Sequence, residues 1–353
     1  MPGLSIPTSS RSSRFFTYLL AVLFLVISAF LGVSIGSVSI PFPVIAHIFM
    51  AELFHFSSGA NIDPANISIV MDIRFPRVVL AGLVGASLSI AGAGFQGLLK
   101  NPLADPYTLG VSSGASVGAV LVLFFGLSLP LIGQFTLPFI SVIFSFVTIV
   151  LVLMFARTVH RGLSVETIIL TGIIFSSFLG SLISLMIALT GEQLREIIGW
   201  LLGSVGMRGW EYSLMILPFF IIGAVLLLAN CSELNALSFG EERAQHLGVN
   251  VQARKMSVLV AASILTGASV AVSGTIGFVG LVIPHLVRLV AGPDHRHLLP
   301  LSMITGAGFL ILADLVARTI IAPVELPIGV ITALIGAPVF GFLLFRQRRA
   351  RHA

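Results

Sequence analysis

The feature that most limits this chain is a succession of apolar windows, each about long enough to cross a hydrocarbon layer. They are parted by short charged or Pro/Gly breaks. In lipid every backbone N–H and C=O must be satisfied within the protein, so segments of this length without strand-like alternation must be helices. The windows fall at about 15–38, 76–99, 107–127, 130–156, 166–190, 212–230, 256–275, 277–291, 298–317 and 327–345. They predict an all-α, polytopic membrane protein of about ten transmembrane helices. Composition excludes the alternative of a soluble domain, because 57% of the residues are hydrophobic, 9% are charged and the mean hydropathy is +1.09. The formal net charge of +5 then reads as topology and not as a nucleic-acid patch.

Placing Arg11, Arg14, Lys100, Arg157, Arg161, Arg243, Arg254, Lys255, Arg288, Arg296 and the tail arginines 346–351 on one side leaves only Arg74, Arg77, Arg195, Arg208 and Arg318 on the other. The positive-inside rule assigns the first side, and both termini, to the cytoplasm. The apolar run after Arg14 exceeds a signal-peptide core and has no A-x-A site, so it is expected to stay as the first span. On the outside, 41–73 is expected to be a long loop. Residues 191–211 are expected to form an amphipathic helix at the interface, with Trp200 and Trp210 at headgroup depth.

The stretch Arg74–Gly118 organises the rest. Pro76 suits a helix start. Gly85, Ser89, Ala93 and Gly97 recur every four residues as a face for close helix packing. Asn101-Pro102 and Asp105-Pro106 then stop this helix and start the next. Within it LVGASLSIAG (83–92) recurs as LTGASVAVSG (265–274), and Ser113-Gly114-Ala115 is echoed by Thr305-Gly306-Ala307. With the copies running in opposite directions, the chain is expected to be a single transmembrane domain, 1–353, with inverted repeat halves at about 74–190 and 256–345.

Catalytic signatures do not occur. The two lysines, Lys100 and Lys255, lie outside any G-x-x-x-x-G-K-[ST] motif, and there is no H-E-x-x-H or G-x-S-x-G. Cys231 is the sole cysteine and the eight histidines are scattered, so no metal site is expected. Asp314 and Glu166 lie near helix ends, whereas an ion-coupled secondary carrier, the rival reading, would want a carboxylate at the midplane. A transporter without its own ion relay needs an energising partner.

Three further groups stand out. The segment at about 232–255 is the longest inside loop, and Leu237, Ala244 and Leu247 could share a helical face opposite Glu241, Glu242 and Arg243. Arg74, Arg77 and Arg318 emerge on one external face, where they could snorkel or meet carboxylates of a docking protein. Gly172, Ser176, Gly180 and Ser184 recur every four residues, which by default is helix packing and otherwise a pore-lining face.

The motifs RFPR (74–77), QGLLKNPLADPYTLGVSSGA (96–115), GEERAQHLGV (240–249), SGTIGFVGLVIPHLVR (273–288) and ADLVARTIIAPVELPIGVITALIGAPVF (313–340) together closely resemble one family. It comprises the permease subunits of type II, binding-protein-dependent ABC importers for iron–siderophore complexes, haem and cobalamin. The resemblance implies a homodimer of ten-helix subunits in a bacterial cytoplasmic membrane, seated on two cytoplasmic ATPases that hold ATP and magnesium. An external solute-binding protein docks above. It implies docking roles for Arg74, Arg77 and Arg318, and a cytoplasmic gate at Asn101 and Leu103 with a second element at Leu163-Ser164-Val165. It makes Gly240, Glu241, Glu242, Ala244, Leu247 and Gly248 an ATPase-coupling helix. The permease itself would be no enzyme and bind no cofactor. The ADPYTLGVSSGA wording is closer to cobalamin and haem members than to many siderophore permeases.

Overall fold

One helix, α4 (Phe75–Leu99), is buried along nearly its whole length, and the other long helices are arranged around it. The computed structural model describes residues 11–36, 38, 40–54, 62–159 and 164–352. In order these form α1 (Arg11–Ser34), α2 (Phe42–Phe54), α3 (Pro64–Ser68), α4, α5 (Val111–Phe125), α6 (Thr136–Val159), α7 (Val165–Leu189) and α8 (Leu194–Leu201). They continue with α9 (Trp210–Ala229), α10 (Cys231–Ser238), α11 (Glu241–His246), α12 (Val251–Ser273), α13 (Val279–Ala291), α14 (His295–Thr319) and α15 (Ile328–His352). Seven helical stretches among the described residues are long and apolar enough to cross a membrane, with α5, α13, α15 and most of α2 as shorter apolar helices.

The small face of α4 packs on α14. A side chain at Gly85 would strike the backbone carbonyl of Gly306, and one at Gly306 would strike Ser89. Glycine on both sides therefore lets the two backbones touch, the contact that drives helix association where lipid gives no hydrophobic contrast. On another side Gly92 meets Gly280 backbone to backbone. Pro284 cannot donate to the Gly280 carbonyl one turn back. The amide of Gln96 does so instead, its Nε2 donating to Gly280 O at 3.3 Å and Leu281 O at 3.1 Å. The glutamine of the Q-G-L-L-K-N-P-L motif thus repairs a proline break in a neighbouring helix.

Several expectations need correction. Pro76 does not start a helix. The chain is helical from Pro64, passes through a π-turn at Ile69–Arg74 and runs on as α4. The widened turn accommodates the missing proline N–H. Segment 41–73 is accordingly no simple loop, since α2 adds Ile45 and Ile48 to the core. The amphipathic helix expected in 191–211 is α8, and one face of it packs into the bundle. Ile197 is fully buried and Trp200 packs on Ala115, Ala119 and Val270 of α5 and α12. Of the two tryptophans only Trp210 stays substantially exposed, donating Nε1 to Met71 O at 3.0 Å.

Helices α5 and α13 are too short to cross alone, since 15 and 13 residues reach only about 22 and 20 Å at 1.5 Å per residue, against about 30 Å of hydrocarbon. Irregular backbone precedes each of them. Residues 101–110 reach α7, where Gly172 lies against Thr108 and Leu109. Tyr107 Oη donates to Ile276 O at 2.9 Å and accepts from Ile276 N at 3.0 Å. Non-helical backbone survives inside such a bundle only when its polar groups find partners in the protein, and one phenol here serves both groups of Ile276.

Candidate functional site

Two clusters lie at opposite ends of α4. At the end that begins with Arg74, the three candidate docking arginines are not free external cations, and their guanidinium groups have partners inside the chain. Arg77, 9% exposed, forks onto Asp314 through Nε (3.1 and 2.9 Å) and Nη2 (2.9 Å). It also reaches Glu325 through Nη1 (2.8 Å) and Nη2 (3.0 Å). Arg318, one turn beyond Asp314 on α14, lies 3.6 Å from the same carboxylate and donates to Gly32 O. Arg74 turns toward the end of α1, donating to Val33 O and Ser34 O at 3.0 Å each and to Val38 O. The snorkelling and free-docking readings both miss this, because the sequence separates Arg77 from its carboxylates by more than two hundred residues. Glu325 lies in the turn 320–327 before α15, and no spacing pattern marks it as a partner of Arg77. A lone acid between apolar residues beside the A-D-L-V-A-R motif was its only signal. The Arg77 guanidinium holds the Glu325 carboxyl below its ordinary range against the opposing effect of partial burial.

At the other end α4 stops at Lys100 in the left-handed region, φ 51°. Asn101 then folds on itself, its Oδ1 accepting from Leu103 N at 2.9 Å. Leu103 is left 46% exposed. Ser164 caps α7, its Oγ accepting from Thr167 N at 3.3 Å. Leu163 lies outside the described residues, and Val165 is the first residue of α7.

Segment 232–255 is placed nearby, and its geometry differs from a single shared face. Gly240, with φ 117°, breaks the helix between α10 and α11. Leu237 and Ala244 turn inward and are buried, whereas Leu247 is 71% exposed and so lies on the other side. Glu241 is tied to Lys255 of α12 at 2.6 Å. Glu242, Arg243 and Gly248 remain exposed with Leu247, so α11 is anchored by one face and open on the other.

The four-residue stripe of α7 divides. Gly172 packs on Thr108, and Ser176 lies beside Gly110. Gly180 has nothing within contact of a side-chain position, and Ser184 is exposed. Among the described residues no group of three or more His, Cys, Asp or Glu side chains could hold a metal ion.

Residues 23–346 match the model of the FecCD transport family. The chain belongs to this family. It is 61% identical over 339 residues, 96% of each chain, to an uncharacterised ABC transporter permease protein, YvrB, of Bacillus subtilis. It is 41% identical to the cobalamin import system permease BtuC of Halobacterium salinarum, covering 91% of this chain and 83% of that one. It is 38% identical to the molybdate import system permease MolB of Haemophilus influenzae, covering 93% and 94%. A solved inward-facing conformation of a metal-chelate type ABC transporter superposes with a TM-score of 0.81 at 35% identity, covering 93% of this chain and 98% of that one. The protein is therefore an ABC importer permease, a membrane transport component and not an enzyme. Membership of the family implies an ATPase and a binding protein as partners.

Proposed function

We propose that this permease works as a homodimer in a bacterial cytoplasmic membrane, each copy a single transmembrane domain, 1–353, crossing ten times with both termini inside. The count follows if α5, α13 and α15 cross together with the seven longer stretches. The repeat halves, about 74–190 and 256–345, then flank a path at the dimer axis lined by the open half of α7, Gly180 and Ser184, with Ser176 at its packed inner edge. The exposed face of α11, with Glu242, Leu247 and Gly248, seats an ATPase that carries ATP and magnesium. Closure of the ATPase pair pushes α11, which passes the movement to α12 through Glu241–Lys255. Asn101, Leu103 and Ser164 close the path at that end. At the far end Arg74, Arg77 and Arg318 outnumber Asp314 and Glu325, and this surplus of one positive charge, held within the fold, sets a field that favours acidic groups of a loaded binding protein.

The cargo is a bulky metal chelate, with cobalamin or haem slightly ahead of iron–siderophore. The relatives' names, cobalamin in one and molybdate in another, warn that the permease alone carries little of the choice. The observation that carries this reading is the family match across nearly the whole chain. The test is reconstitution in liposomes with the ATPase and binding protein recovered by mild-detergent pull-down. ATP-driven uptake of the cargo, abolished by Leu247→Asp, is the expected result. Uptake that survives ATP depletion and collapses with an uncoupler would overturn it in favour of an ion-coupled carrier.

A further inference from the structure

A cavity of about 750 Å³ opens at the Lys100 end of α4, between the termini of α1, α4, α10, α13 and α14. Its permanently charged lining is one-sided, with Arg14, Lys100 and Arg288 against the single carboxylate Asp294; His295 and His297 lie beside them, His297 Nε2 at 3.2 Å from Arg14 Nη1. That carboxylate is already committed. Its Oδ1 accepts from Asn235 Nδ2 at 2.7 Å and from Arg296 N at 3.0 Å, capping α14. Arg288 has no carboxylate within salt-bridge distance among the described residues, and its buried Nε has no hydrogen-bond partner. His295 is 4% exposed; its Nδ1 meets Asn235 Oδ1 at 2.8 Å while its buried Nε2 is unpartnered. Because Asn235 spends its amide on Asp294, its oxygen faces the histidine, so Nδ1 carries the ring proton and Nε2 is left as an acceptor beside Gly97. Cationic side chains collected around a cavity, with buried polar atoms unspent, fit an anion with several acceptor oxygens.

The walls add a second requirement. Directly after Arg288, Leu289 and Val290 are 58% and 74% exposed, and Phe239 opposite is 66% exposed. A narrow crevice lined by Tyr18, Val290, Ala291 and Leu301 adjoins Arg14 and His297, beside α1, a helix whose flank is largely apolar and open. An amphiphile meets both conditions, its charged group among the cations and its chains along the apolar rim and α1. Gln96, also on the lining, keeps Oε1 buried and unpartnered, an acceptor for a hydroxyl.

We propose that this cavity binds a phosphate-bearing anion, supplied as the headgroup of an anionic phospholipid such as phosphatidylglycerol, at the junction of α4, α10, α13 and α14. Its neighbours on α10 lead directly to Gly240 and the coupling segment, so an occupied headgroup would brace the element that receives the ATPase stroke. The site follows from the cavity and the membrane placement alone, and stands whether or not the docking and gating roles proposed above hold.

The test uses the full-length chain in nanodiscs of phosphatidylcholine with and without phosphatidylglycerol, read by native mass spectrometry of the released protein. The expected result is retention of phosphatidylglycerol in preference to phosphatidylcholine. Retention should fall about fivefold in Lys100→Gln and again about fivefold when Arg288→Gln is added, at the usual strength of a basic residue toward an anionic surface. Arg288→Lys should restore most of the loss. Lys100 is exposed, so its variant tests the site even if Arg288→Gln does not fold. Equal retention in wild type and Lys100→Gln, with Arg288→Gln folded and equal as well, would overturn the site. Stabilisation of the protein by millimolar inorganic phosphate without any retained phosphatidylglycerol would keep the phosphate chemistry and overturn the lipid source.

Discussion

Helices α4 and α7 carry the same sequence device, four small residues spaced by four, and meet opposite fates. In α4, Gly85, Ser89, Ala93 and Gly97 are all buried, and the stripe is spent within the chain on α14. In α7, Gly172 is used in the same way against Thr108, but Gly180 and Ser184 are left open about two and three turns further on. Small residues state that something approaches closely; they do not state whether it belongs to the same chain. The part of the pattern left unspent by the fold is where a second copy or a passing solute is to be sought.

The largest expected effect breaks the comparison at α4. Gly85→Leu drives a side chain into the Gly306 backbone, which cannot yield, so folded protein should be lost from the membrane as read by fluorescence-detected size exclusion. Gly180→Leu meets nothing in the chain and should accumulate at wild-type level while ATP-driven uptake falls at least several-fold. Equal loss of folded protein in both variants would end the distinction between them.

Next comes the lock that holds α4 to α14 at the Arg74 end. Arg77→Ala leaves Asp314, 1% exposed, without its fork and should destabilise by about 3–5 kcal/mol, with a lowered thermal midpoint. Arg77→Leu with Asp314→Leu should recover much of that loss, because the stranded charge goes with its partner. A smaller effect is expected where the inner half of α7 is held. Tyr107→Phe removes both bonds to Ile276 and should cost about 1–3 kcal/mol, loosening the packing of 101–110 without expelling the protein from the membrane.

The smallest effect sharpens the outer lock by pH. Because Arg77 depresses the Glu325 carboxyl, the stability this pair adds is present above the unfolded glutamate value and lost as pH falls through the lower folded one. Glu325 is partly exposed, so the acid-side loss in thermal midpoint should be slight. It should vanish in Glu325→Gln.

Much of this architecture was legible because bilayer length and helical periodicity act locally. The apolar windows coincide with α1, α4 to α7, α9 and α12 to α15, and the stripe of α4 announced its close contact. What stayed hidden was set by pairs far apart in sequence. Glu325 reads as a loop acid until Arg77 is placed beside it. Trp200 reads as an interfacial anchor until α5 and α12 enclose it. Leu237 and Leu247 fit one helical wheel until Gly240 breaks the helix between them. Motifs located the Lys100 end of α4 correctly but reported nothing of which charges would already be neutralised at either end.

The most direct test of the central claim, that the open half of α7 faces an aqueous path at a seam between copies, is thiol accessibility at Ser184. A Cys231→Ala background carrying Ser184→Cys, assembled with its ATPase in native membranes, would be treated with a water-soluble maleimide and separately with a short bifunctional crosslinker. The account expects labelling of Cys introduced at 184, protection of it when the binding protein delivers cargo, and a crosslinked dimer. No labelling and no dimer, beside full labelling of an exposed control such as Leu247→Cys, would place α7 against lipid and contradict it.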